Sequence, residues 1–248
     1  MQTIFSLVGK ASLAAVNTLL PWRCEGCGVM TQTRGVCGPC FSQLVLITQA
    51  SCVSCGLPFL VSMAEGAQCL RCRQSPQVLK QLKAVFVYNT KSRLMVLRFK
   101  HRRSFALLPF FVHLLCQRAQ TMLKKIDLIA PVPLHWTRLL KRRFNQSGLL
   151  ADQLAKKTSK PSVPALLKRV VRTPSQGMLT LKERHHNVKN AFAINKRHKT
   201  CVQEKRVLLV DDVCTTGATL NACAKTLLKQ GAKEVYGLTL ARVPLEAL

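Results

Sequence analysis

From Val78 onward the chain alternates apolar runs with basic stretches, and the periodicities predict strands and helices in turn. VFVYN (85–89), β-branched and aromatic, reads as a short strand. KSRLMVLRFKHRRSFALLPFFVHLLCQRAQTML then reads as helical segments, with Pro109 marking a break or a new start because proline fits only the first turn of a helix. IDLIAPVPL (126–134) is an unbroken apolar run ending on two prolines, so a buried strand that stops at a rigid loop is expected. Gln146–Lys157 carries helical spacing at Leu149, Leu150 and Leu154. VPALLKRV (163–170) reads as a strand or extended segment, followed by a polar loop with a short helix near its end. AFAI (191–194) is a short strand, RVLLVDDV (206–213) a strong one and EVYGLTLAR (234–242) the last. TLNACAKTLLKQ (219–230) forms an amphipathic helix closed by Gly231. This order predicts an α/β fold, a parallel sheet with helices on both faces. The continuous hydrophobicity of VLLV points to a strand buried on both sides.

The pattern before residue 76 differs. Ile4, Phe5, Leu7, Val8, Leu13, Val16, Leu19 and Leu20 are loosely spaced for an amphipathic helix over 1–22. With Lys10 in its middle and no basic start, this segment makes a poor signal peptide. FALLPFFVHLLC (105–116) falls short of the roughly 18 to 20 apolar residues that span a bilayer. No membrane span and a cytoplasmic location are therefore expected. Residues 23–75 form a separate cysteine-rich module, and 76–248 form the α/β domain.

Eight of the twelve cysteines fall in four CxxC pairs: Cys24/Cys27, Cys37/Cys40, Cys52/Cys55 and Cys69/Cys72. Two thiolates separated by two residues grip one face of a tetrahedral ion, and a second pair closes the site. Four pairs make two structural zinc sites. CEGCG followed by CGPC resembles CVSCG followed by CLRC, which favours sequential over interleaved pairing; Gly28 and Gly56 would supply the positive φ after each leading pair. A disulfide framework would need an oxidising compartment that nothing here signals. Cys116, Cys201, Cys214 and Cys223 read as small buried hydrophobes.

The net charge of +28 is uneven: residues 1–72 hold four basic and two acidic side chains, and residues 73–248 hold thirty-four and eight. A field of that sign attracts nucleic acid, anionic membrane or phosphorylated small molecules, though a merely soluble basic surface is the plainer alternative.

Against that field, VLLVDDVCTTGAT (207–219) sets two adjacent carboxylates before a hydroxyl-rich turn, using two of the four aspartates in the chain. Ligands of open parallel sheets bind beyond the carboxyl ends of the strands, where Asp211 and Asp212 fall. Backbone N–H groups of the turn and the helix start can converge on an anion, Gly217 allows close approach, and Thr215, Thr216 and Thr219 add hydroxyls. Carboxylates accept from sugar hydroxyls beside such a cradle, so a ribose 5-phosphate would satisfy both. Helix capping or a structural cation is the plainer role for the pair. The chain has no GxxxxGK[ST] and no GxGxxG after a strand, which removes the P-loop and dinucleotide readings.

VLLVDDVCTTGAT resembles the phosphoribosyl pyrophosphate (PRPP) signature of type I phosphoribosyltransferases. PVPLHWTRLLKRRFNQ (131–146), LKRVVRTPSQGMLTLKERHHNVKNAFAI (167–194), FKHRRS (99–104) and the zinc-binding head are similar to the ComF/GntX family within that superfamily. One departure is Arg143, where the family usually shows a glycine before Phe144-Asn145-Gln146.

The resemblance implies that Asp211 and Asp212 bind the ribose 2- and 3-hydroxyls. Val213, Cys214, Thr215, Thr216, Gly217, Ala218 and Thr219 would bind the 5-phosphate, with Mg²⁺ bridging pyrophosphate and ribose. Pro131, Val132, Pro133 and Leu134 take the place of the pyrophosphate loop, followed by Arg138, Lys141, Arg142, Arg143, Asn145 and Gln146; for these cations a solvated basic face is the plainer alternative. Residues 172–190 align with a mobile hood in which Arg172, Gln176, Arg184 and Asn187 match family positions. No acceptor base can be named; His135, His185 and His186 are nearby candidates and more plainly solvated. The ComF side of the resemblance implies natural transformation, with single-stranded DNA and a competence helicase or recombination protein as partners. Transfer of phosphoribosyl to a nitrogen acceptor, or a zinc-headed adaptor, are the alternatives.

Overall fold

The computed structural model describes residues 22–48, 50–101, 105–171 and 190–244. The helix expected over 1–22 lies outside them except for Trp22. In the cysteine-rich segment, strands β1 (Trp22–Arg23) and β2 (Met30–Thr31) pair antiparallel, and helices α1 (Gly38–Ser42) and α2 (Leu70–Gln74) each start directly after a cysteine. The body continues with β3 (Gln81–Val87), α3 (Thr90–His101), α4 (Leu107–Leu123), β4 (Leu128–Pro131), α5 (Trp136–Arg142) and α6 (Gln146–Thr158). It ends with β5 (Leu167–Arg169), β6 (Phe192–Ile194), a 3-10 helix (Lys196–Val202), β7 (Arg206–Cys214), α7 (Ala218–Leu228) and β8 (Glu234–Arg242).

Strands β3, β8, β7 and β4 form one parallel sheet in that order. Side chains alternate faces along a strand, and β7 shows why VLLV is apolar throughout. Leu208 and Val210 join Phe86, Phe99, Phe111, Leu115, Leu150 and Leu154 in the core under α3, α4 and α6. Val207 and Leu209 enter the opposite core with Leu220, Cys223 and Leu227 of α7.

Both sheet edges are covered. The link between the two cysteine-rich halves lies along β3: Ile47 N–H donates to the Val85 carbonyl at 2.8 Å and Val87 N–H to the Val45 carbonyl at 2.9 Å. On the other side, residues 161–163 bond to Ile129 of β4. Exposed edges template unwanted pairing, so these connections also protect the sheet.

Several expectations change in detail. The strand expected at 85–89 starts earlier, at Gln81. Pro109 falls in the first turn of α4, so of the two readings it marks the new start. Segments 163–170 and 191–194 do pair, but as a separate antiparallel ribbon of β5 and β6 outside the main sheet. The loop after Pro133 contains a helix, α5, capped by His135, whose ring accepts from Thr137 N–H. Cys214 and Cys223 are buried as expected and Cys116 is partly so, but Cys201 is exposed on the 3-10 helix, whose basic surroundings carry no apolar alternation to place it. The polar segment 172–189, with its expected short helix, lies outside the described residues.

Candidate functional site

The acid pair sits at the C-terminal end of β7, next to the end of β4. Asp211 Oδ1 accepts from Ser147 Oγ of α6 at 2.8 Å and from Asp212 N–H at 2.9 Å. Asp212 is buried and forms an ion pair with Lys100 Nζ of α3 at 3.0 Å. Burial, and then the neighbouring Asp212 carboxylate, push the Asp211 carboxyl up to about 7; the Ser147 hydrogen bond and the Lys100 charge pull the other way.

The turn after the pair has the backbone an anion cradle needs. Gly217 is left-handed (φ 83°) at the N-cap of α7, and Thr216 Oγ1 accepts from Ala218 N–H at 3.2 Å. Val213, Thr215 and Thr219 are partly exposed, while the Cys214 side chain is buried and burial raises its thiol pKa. Only its backbone can meet a ligand.

Facing this turn is the loop after β4. Val132 N–H still bonds to the Val210 carbonyl at 2.9 Å, which fixes the Pro131–Leu134 segment beside β7. Asn145 ties the loop down: its Nδ2 donates to the Val132 carbonyl at 3.1 Å and its Oδ1 caps α6. Gln146 is buried, donating to the Lys100 carbonyl at 3.1 Å and accepting from Arg142 at 3.3 Å. Arg138 is partly buried, and burial followed by the Arg142 charge holds it below the usual arginine range. The backbone of Arg169 in β5 forms a parallel β-bridge with that of His135, and the Arg169 guanidinium is likewise lowered by burial and then by Arg138, with Asp211 acting the other way. Guanidiniums are thus gathered beside two carboxylates, an arrangement suited to a polyanion that also carries hydroxyls.

Among the described residues, the eight N-terminal cysteines form two groups, Cys24/Cys27/Cys37/Cys40 and Cys52/Cys55/Cys69/Cys72. Within each, the four Sγ atoms lie within 4.8 Å of one another. Cys27 and Cys37 are 3.7 Å apart and Cys55 and Cys69 3.8 Å, the edge of a tetrahedron with bonds of about 2.3 Å to a central zinc. Gly26 and Cys37 N–H groups point at Cys24 Sγ, and Cys69 N–H at Cys52 Sγ, which favours thiolates. The Cys55 hydrogen bond leads in pulling the Cys52 thiol down to about 4, while burial drives Cys72 up to about 12. A dication shared by four thiolates relieves that conflict. The sulfur-only sets leave no open position, so zinc there would be structural. Gly28 (φ 82°) and Gly56 (φ 68°) adopt the left-handed turn after each leading pair.

Two family matches follow this division: a double zinc ribbon domain over residues 15–73 and a phosphoribosyl transferase domain over residues 147–246. Competence protein F of Haemophilus influenzae is 34% identical over 224 residues, covering 88% of this chain and 90% of that protein. The chain belongs to the ComF family. DNA utilization protein YhgH of Salmonella typhimurium is 34% identical over 213 residues, and competence protein ComFC of Bacillus subtilis 28% over 214. Among solved structures, adenine phosphoribosyltransferase of Saccharomyces cerevisiae is 16% identical over 56% of this chain and 71% of that one, with a TM-score of 0.37.

Where the ComF family usually has glycine, Arg143 keeps a left-handed backbone (φ 65°) and closes α5. That conformation has a local cost at a residue with a side chain. Arg172, Gln176, Arg184 and Asn187, with His185 and His186, lie outside the described residues. Lys100, Ser147 and Arg169 were not legible as site residues. Lys100 lies inside the FKHRRS stretch, but its partner appears only when α3 packs beside β7.

Proposed function

We propose that this chain is a PRPP-binding ComF-like protein of DNA uptake and natural transformation, handling incoming single-stranded DNA in the cytoplasm. The observation that carries the reading is the acid pair, held against a +28 background between Ser147, Lys100 and the Gly217 turn. Asp211 and Asp212 take the ribose 2- and 3-hydroxyls, and the backbone of Val213–Thr219 takes the 5-phosphate. The Pro131–Leu134 loop, with Arg138, Arg142 and Arg143, takes the pyrophosphate under the hood of residues 172–190. Mg²⁺, when bound, neutralises the diphosphate mainly through ligand and water oxygens. Two zinc ions complete the head, which spans 23–75 between an N-terminal helix and the body at 76–248.

The relatives named for competence and DNA utilization support the DNA part of the reading, as does the charge of the body. Among the described residues no helix is long and apolar enough to cross a membrane. Aromatic residues are only 6% of the chain, so affinity for a single strand comes mainly from phosphate contacts. Anisotropy of a labelled single-stranded oligonucleotide should show affinity falling at least about tenfold between 50 and 200 mM salt. A flat salt dependence would remove DNA from the account.

A further inference from the structure

Arg242, the last residue of β8, is 1% exposed. A guanidinium in that position is costly unless its donors are matched, and here Nε and Nη1 meet backbone carbonyls. Nε donates to the Cys55 carbonyl at 2.8 Å, and Nη1 donates to the carbonyls of Val243 at 2.7 Å, Cys214 at 3.4 Å and Thr215. Cys55 belongs to the second thiol cluster, while Cys214 and Thr215 begin the turn after the acid pair. One planar side chain therefore joins the two.

The contact fixes direction as well as position. Across a trans peptide the C=O and the following N–H point opposite ways. With the Cys214 and Thr215 carbonyls turned onto Arg242, the N–H groups of Thr215 and Thr216 must point away from it. The chain leaving that module holds the far side of the turn. Asn221, in the first turns of α7, accepts from Val78 N–H at 2.9 Å and donates to Gln77 Oε1, and both partners follow closely on Cys72. A Cβ on Gly217 would lie 3.5 Å from Asn221 Nδ2 and 3.6 Å from Gln77 Oε1, so the left-handed glycine rests against this brace.

We infer that Arg242 is a positioning residue for the phosphate turn, and that zinc in the Cys52/Cys55/Cys69/Cys72 cluster, by fixing the Cys55 carbonyl, sets the affinity of that turn for a phosphoribosyl ligand. The inference rests on the reading of the turn as a phosphoribosyl site. Zinc acts here only through the chain: it holds the knuckle, the knuckle holds Arg242, and Arg242 holds two peptide planes. Lysine at position 242 keeps the charge but cannot span the carbonyls on two sides.

The full-length, zinc-loaded protein and Arg242→Lys are compared by metal content, by calorimetric titration with Mg-PRPP and by the amide resonances of residues 214–219. Both should hold two zinc ions, while the variant binds Mg-PRPP about tenfold or more weakly, within the usual range of coupling between sites. Its resonance changes should centre on Thr215, Thr216 and Gly217. Equal affinity with unchanged amides overturns the inference. Should Arg242→Lys fail to fold, stepwise chelation of the wild type replaces it, with alkylation showing which cluster has lost its ion. Affinity must then fall with the second cluster, and unchanged affinity after that loss is a refutation. If wild type does not bind Mg-PRPP at all, the phosphoribosyl reading has failed, and the amide resonances alone decide the coupling: they move with zinc in the second cluster, or the inference is wrong.

Discussion

Asp211 shows how the site resists the protein's own stability. Its carboxyl is raised to about 7, so the folded state keeps a proton that the unfolded chain releases near 3.8. The stabilisation this gives is complete below 3.8 and is lost as pH rises through about 7. Asp211→Asn, which carries no charge, should therefore raise the melting temperature more at pH 8 than at pH 5; a shift of the same size at both would contradict the assignment. Arg143 carries a second local cost, a left-handed backbone at a non-glycine residue. Arg143→Gly should stabilise the fold by roughly 1 kcal/mol, the strain less the added freedom of the unfolded chain, visible in a denaturant melt. The acid pair was legible because two aspartates broke a basic pattern. Lys100, Ser147, Arg169 and Arg242 were not, because each is one common residue type whose role depends on a partner distant in sequence.

The strands and helices of the body were legible to within a few residues wherever an apolar run ended on proline, glycine or a charge, as at Pro131, Gly231 and Asp211. Helix α5 was missed because its exposed Trp136, Leu139 and Leu140 give no buried stripe to read. The cysteine spacing predicted two metal knuckles but not how they dock. Three arginines do that work: Arg98 donates to the Glu25 and Gly26 carbonyls, Arg118 to Ala84 O and Ser51 Oγ, and Arg242 to Cys55 O. The head is thus part of the body's sheet edge. Stripping zinc should cost several kcal/mol and lower the melting temperature by at least about 10 °C, with faster hydrogen exchange spreading from residues 22–72 into β3. Exchange confined to the head would show that the ribbons fold apart from the sheet.

Across the whole molecule, charge and topology converge on one place. A strongly basic body leaves its two adjacent aspartates at the carboxyl end of a central strand, and the neighbouring strand brings a basic loop beside them. The zinc-ribbon head and the transferase-like body, separate in the sequence pattern, meet behind the turn through one buried guanidinium. The measurement that bears most directly on this account is calorimetric titration of Mg-PRPP into wild type and into the Asp211→Asn, Asp212→Asn double variant. Saturable one-to-one binding by wild type, lost at least about a hundredfold in a variant that still folds and retains zinc, is the predicted result. Absence of binding by wild type, or equal binding by both proteins, would contradict it.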